Sequence, residues 1–276
     1  MEVEKKKKKK KKKITPEERA KRWLTAAIVF IIFVAYFGVS SVINHKDFYV
    51  KSRTGILEKR QKNDKDDKKT EGWIRVQGTN IDFPVLYAPG YDFLYETEDF
   101  AWTEAEYEKL NNIVYISGHN IKNMSRKPMI TNKNHGRFEQ LMSFTYYSFA
   151  KDNQFIQYTF GKENYVYQIF AVAYIDGSDL DLYNENEYSP ADIKELVETA
   201  KNESIYKYDI DIRENDKIIS LDTCTNMFGD SDNTHFVIFA RLLRDGEKEK
   251  FVKVKTTNQY KVIKDQMKGG DSNDEA

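Results

Sequence analysis

The stretch Ile219–Leu243, "ISLDTCTNMFGDSDNTHFVIFARLL", decides how the rest of the chain is read. Two apolar, β-branched and aromatic runs flank a loop rich in Gly, Asp and Asn, the pattern of strand, loop and strand. At the end of the first run stands Cys224, the only cysteine in 276 residues. A lone cysteine cannot close a disulfide within its own chain. It is therefore an inert core thiol, a link to another molecule, or a reactive nucleophile.

The compartment narrows that choice, and the N-terminus sets the compartment. Residues Lys5 to Lys13 are nine consecutive lysines, and Arg19, Lys21 and Arg22 follow. From Trp23 to Ile43 there are 21 residues without a charge, enough at about 1.5 Å per residue to span a hydrocarbon layer of roughly 30 Å. The run is longer than the apolar region of a signal peptide, and no A-x-A cleavage site follows it. An uncleaved transmembrane helix over 23–43 is expected, with the lysine-rich tail (1–22) in the cytoplasm and everything after Asn44 outside. The lysine run reads as a solvated tail able to touch anionic headgroups.

Charge divides the same way. Residues 1–45 carry 12 basic against 4 acidic side chains, a net +8; the remainder carries 32 against 40, a net −8. An acidic outer part argues against nucleic acid as a partner. Its length of about 230 residues suits one domain with a substantial core.

After a charged stretch read as a juxtamembrane helical linker (44–72), short strand-like runs follow, bounded by turn residues. They are Trp73–Val76, Ile81–Tyr87, Asn112–Ser117, Gln154–Phe160, Tyr165–Ile175, Lys217–Thr223, His235–Leu243 and Phe251–Thr256. Eight strands predict a mainly β sandwich or barrel over 73–257, with a C-terminal tail at 258–276. One helix is well signalled within it. In "SPADIKELVETAKN", Ser189 caps, Pro190 takes the first turn, and Ile193, Leu196, Val197 and Ala200 form one apolar face. "HGRFEQLMSF" (His135–Phe144) is a weaker helical candidate.

His119 occupies a place like that of Cys224, just past the run "NIVYIS" and a glycine. A nearby imidazole is the usual means of populating a thiolate. The segment "VYISGHN", a "TC" at a strand end about a hundred residues later, and the strand "FVIFARL" resemble the sortases, membrane-anchored cysteine transpeptidases of Gram-positive bacteria. "GWIRVQGTNIDFPVLYAPGYDFLYETEDF" (Gly72–Phe100) and the asparagine of "GHNIKN" resemble class B in particular. The likeness spans roughly residues 45–245.

What the resemblance implies is an eight-stranded sortase-type β-barrel with peripheral helices. Such an enzyme cuts a C-terminal sorting signal of secreted proteins at a threonine carbonyl. Cys224 would form a thioester, which an amine of a lipid-linked peptidoglycan precursor then resolves; His119 would serve as acid and then base. Thr223 and Asn120 would contact substrate. No cofactor or metal is implied, and the acidic residues Asp230 and Asp232 read as part of a solvated loop.

The sequence departs from the family at one position. Sortases place an arginine at the start of the strand after the cysteine, where this chain has His235. Arg241, the alternative for that role, stands six residues further on, about 20 Å along a regular strand. Two other readings share part of this pattern: another extracellular Cys-His peptidoglycan amidase or transpeptidase, and a non-catalytic wall-associated binding protein.

Overall fold

The computed structural model describes residues 15–35, 70–87, 101–103, 109–120, 138–177, 188–225 and 233–269. By its internal contacts the chain divides into Met1–Lys51 and Ser52–Ala276. In the first unit, residues 16–35 form helix α1, along which Trp23, Leu24 and Ile28 to Val34 are exposed. No helix among the described residues is long and apolar enough to cross a membrane. The remainder of the expected span, 36–43, lies outside the described residues, as does the linker up to residue 69.

The second unit contains ten strands among its described residues. In chain order they are β1 (Thr70–Val76), β2 (Asp82–Tyr87), β3 (Ala101–Thr103), β4 (Ile113–Gly118), β5 (Phe155–Phe160), β6 (Glu163–Asp176), β7 (Tyr206–Tyr208), β8 (Ile218–Thr225), β9 (Thr234–Leu242) and β10 (Val254–Thr256). Eight of them close a barrel in the order β1-β2-β3-β4-β8-β9-β6-β5. Seven of the runs expected from sequence enter that barrel. The eighth barrel strand is instead the three-residue β3, too short to leave an alternation signal. The run Phe251–Thr256 yields only β10, which pairs with β7 in a separate two-stranded sheet.

The segment expected to be helical at His135–Phe144 forms a 3-10 helix, Phe138–Thr145, and the short α2 (Tyr147–Asp152) follows it. Strand alternation sorts the barrel wall into two apolar faces. Val114, Ile116, Ile219, Leu221, Phe236, Ile238 and Ala240 point inwards to the main core. Ile113, Ile218, Val237, Phe239, Ala171 and Ala173 point outwards and are covered by Ile193, Leu196, Val197 and Ala200 of helix α3 (Pro190–Glu203). That helix begins as expected: Ser189 and Asp192 exchange side-chain-to-backbone bonds in a capping box, and Pro190 occupies the first turn. Each buried Ile, Leu or Val of this face stabilises the packing by about 1.5–3 kcal/mol, as an upper estimate.

Two boundaries move from their expected places. Thr70, Glu71 and Gly72, assigned to the linker, belong to β1. Residues 258–269, assigned to the tail, form helix α4 (Asn258–Gly269), whose Ile263 is buried in the main core with Tyr260 against it. Its apolar residues are few and widely spaced, so only their tertiary partners reveal the helix.

Candidate active site

Topology brings the two chemistry-bearing strand ends together. β4 and β8 are parallel neighbours, with Ser117 beside Asp222, so both strands finish at the same rim of the barrel. Continuing that register by two residues sets His119 alongside Cys224. β9 runs antiparallel to β8 and starts at this rim, which puts His235 directly opposite Cys224. Alternation places Ser117, Asp222, Cys224 and His235 on the outer face, the side that α3 covers lower down the wall.

The rim is held in place from inside. Thr223 is 1% exposed, points into the barrel, and its hydroxyl donates to the carbonyl of Gly118 at 2.6 Å. That hydrogen bond ties β8 to β4. Gly118 also faces inwards, where a Cβ would come within 2.5 Å of the Phe138 ring. Phe138 N–H in turn donates to the carbonyl of His119 at 3.0 Å. Asn120, next in sequence, is buried with both amide atoms lacking a hydrogen-bond partner among the described residues.

Cys224 is exposed and forms no disulfide. Even so, the protein around its sulfur pushes the thiol above its ordinary value, and the charge of Asp222 pushes in the same direction, against a backbone hydrogen bond that lowers it. Asp222 is the residue that sequence reasoning missed. Its side chain is only 6% exposed, and it accepts from His235 Nδ1–H at 2.8 Å and from Ser117 Oγ at 3.3 Å. Burial raises Tyr115 strongly, and its proximity to Asp222 adds to that shift. The available signal was a carboxylate two residues before Cys224 in an otherwise apolar strand, hence on the same face as the thiol.

Arg241 does not belong to this group. It sits at the other end of β9, opposite Ile218, 4% exposed, with Nη1 donating to Glu247 at 2.5 Å and to the Leu242 carbonyl at 3.0 Å. Arg244 is likewise engaged, with Asp216 at 2.6 Å and Asp211 at 3.1 Å. Of the two residues expected for the arginine role, the register sets His235, and not Arg241, opposite Cys224. No cluster of metal-ligating side chains occurs among the described residues, and Asp230 and Asp232 lie outside them.

A closed barrel with a thiol and an imidazole at neighbouring strand ends is what the resemblance to the sortases implies. No family model matches the chain. It is 22% identical over 253 residues to sortase B of Staphylococcus aureus (strain NCTC 8325), covering 82% of this chain and 99% of that protein. It is 29% identical over 167 residues to sortase B of Listeria monocytogenes (serovar 1/2a, strain EGD-e), covering 55% and 61%. Among solved structures, Clostridium perfringens sortase B matches with a TM-score of 0.54 at 24% identity, over 68% of this chain and all of that one. A sortase B complexed with triglycine matches at 0.56 and 17% identity, over 77% and 97%. The S. aureus sortase B–substrate complex matches at 0.53 and 19%, over 74% and 94%. The chain is thus similar in sequence and in fold to class B sortases.

Proposed function

We propose that the protein is a sortase-type cysteine transpeptidase that cleaves a C-terminal sorting signal of secreted proteins at a threonine carbonyl and passes the acyl group to an amine of a lipid-linked peptidoglycan precursor. The observation that carries the reading is the convergence of Cys224, His119 and His235 at one rim of the barrel, on three adjacent strands. The triglycine and substrate complexes of sortase B relatives support the two substrate classes, an amine and a sorting peptide.

Cys224, the only cysteine available, attacks the carbonyl and forms a thioester. His119 protonates the departing amine and then takes a proton from the incoming one. His235 stands where sortases carry arginine and faces the developing oxyanion. Asn120, whose amide has no hydrogen-bond partner among the described residues, offers it to the substrate backbone. The apolar run that begins in α1 anchors the protein to the cytoplasmic membrane of a Gram-positive cell by a single pass, N-terminus inside and barrel outside, where translocated protein and lipid-linked amine meet.

The test is incubation of the protein with sorting-signal peptides and a glycine-based amine, followed by mass spectrometry. The expected result is an acyl-enzyme on Cys224 that hydroxylamine releases, and an amide product when amine is present. Absence of both across a panel of sorting peptides, from folded protein, overturns the proposal in favour of a binding protein. Hydrolysis of peptidoglycan stem peptides instead would mark an amidase.

A further inference from the structure

The structure assigns a role to Asp222: together with His235 it forms a proton-holding pair that accepts the Cys224 proton, in place of the permanent cation that sortases keep at this position. The inference rests on the transpeptidase reading above and adds a positioning residue to it.

The geometry starts from Asp222. A carboxylate with 6% of its side chain exposed needs a counter-charge or several donors. Among the described residues His235 is the basic side chain within ion-pair range, and the 2.8 Å contact uses Nδ1. A carboxylate only accepts, so the proton lies on Nδ1. Nε2 is then the one ring nitrogen left for chemistry: an acceptor when the ring is neutral, a donor once it is protonated. That is the relation of aspartate to histidine in hydrolytic triads.

The register supplies the donor. Cys224 and His235 are directly opposed on one sheet face, where paired Cβ atoms stand about 4.5–5.5 Å apart. An arginine at His235 would bring a fixed cation but could accept no proton. The histidine accepts one from Cys224 Sγ and becomes a cation that Asp222 balances.

The steps close. The Sγ–H proton moves to His235 Nε2, and the thiolate adds to the carbonyl carbon. The oxyanion then receives a hydrogen bond from His235 Nε2–H. His119, protonated, donates to the departing amine as the C–N bond breaks, leaving the thioester. An incoming amine gives its proton to His119 while attacking, and the expelled thiolate recovers its proton from His235. Both histidines return to their starting states.

Among the described residues, the titratable groups beside His235 are Asp222 and Cys224 of β8, with Tyr115 of β4 coupled to both of these and His119 just beyond β4. On β6, Ile175 is its register partner, with Asp176 next along. Asp222 acts on the thiol in two opposite ways: directly its charge repels a thiolate, and through His235 it stabilises the imidazolium that the thiolate requires. For the pair to serve the thiol, the second effect must outweigh the first, and the 2.8 Å contact places Asp222 where it can.

This predicts a reversal of sign. In the otherwise unaltered full chain, Asp222→Asn should slow iodoacetamide alkylation of Cys224 at pH 7.5 by ~10-fold, about one pK unit. In a His235→Gln background, the same substitution should speed it, because only repulsion remains. Effects of the same sign in both backgrounds overturn the inference. A measurement without mutation guards against misfolded variants. Ring nitrogen NMR shifts of His235 should show a proton on Nδ1, alone or on both nitrogens; a neutral ring protonated only on Nε2 overturns the inference. Neither readout uses a peptide. If no sorting peptide is cleaved yet the sign reverses, the substrate assignment fails and the pair stands. If peptides are cleaved without reversal, the pair fails alone.

Discussion

The Thr223 hydroxyl reaches the Gly118 carbonyl across 2.6 Å, and this bond sets the relative height of the two residues that follow, Cys224 and His119. It lies inside the barrel, while the side chains it aligns lie at the outer rim. Packing therefore fixes the spacing of the chemistry from behind.

Removing that bond should cost more in activity than in stability. Thr223→Val keeps the shape but leaves a buried carbonyl unpaired, a loss of about 1–3 kcal/mol in chemical denaturation. Peptide turnover by the folded fraction should fall by up to ~10²-fold, since misplacement of about 1 Å at a reacting pair has that scale. Thr223→Ser should restore most of both. Unchanged turnover in Thr223→Val would remove the bond from the alignment of the site.

Substitutions at Arg241 should separate structure from chemistry. Its guanidinium is buried against Glu247, and burial pushes that carboxyl up less than the hydrogen bond from Arg241 and its neighbours pull it down. Arg241→Met should destabilise the fold by on the order of 1–3 kcal/mol, less than a fully buried pair because a third of Glu247 is open to solvent. A carboxyl lowered in the fold stabilises above the ordinary carboxylate range near pH 4 and loses that contribution as pH falls through its folded value. The variant should thus differ most from the parent near neutrality and least in acid, in urea midpoints taken from pH 7 down to 3. Turnover per folded molecule should stay within about twofold. A large loss there would return Arg241 to the site.

The raised thiol should show directly in its chemistry. With its proton held more tightly than in free cysteine, Cys224 should alkylate more slowly than a model thiol at pH 7. Its rate should still be climbing at the pH where the model compound levels off. A midpoint below about 8.5, the free-cysteine value, would contradict the direction given by burial.

Much of this was legible in the sequence, and the reasons are physical. Strands buried on both faces, such as Ile218–Thr225 and Thr234–Leu242, declare themselves as apolar runs, and the cap at Ser189 fixes a helix start. Order along the chain identified Cys224 and His119 as strand-end residues. Pairing was not legible, because nothing local states that β4 and β8 are parallel neighbours or that β3 closes the barrel. Without pairing, Asp222 reads as one acid in a strand, and neither the inward bond of Thr223 nor the place of Arg241 opposite Ile218 can be read.

A buried carboxylate should also change what an arginine can do at position 235. His235→Arg restores the residue type that sortases carry there, but it does so 2.8 Å from a buried acid. The guanidinium would form a bidentate pair with Asp222, and a cation so paired has little left for an oxyanion. Asp222→Asn alone removes the balance of the His235 pair, so each single substitution should lower kcat/KM for a sorting peptide. Combined, they release the guanidinium from its acid while keeping an amide that can accept one N–H. The double variant should therefore exceed His235→Arg alone by about tenfold, close to 1.4 kcal/mol of transition-state stabilisation. Circular dichroism melts should show all three folded, so that rates compare like with like. If the double variant is no better than the poorer single one, Asp222 does not restrain a cation at position 235, and the contact between them is structural.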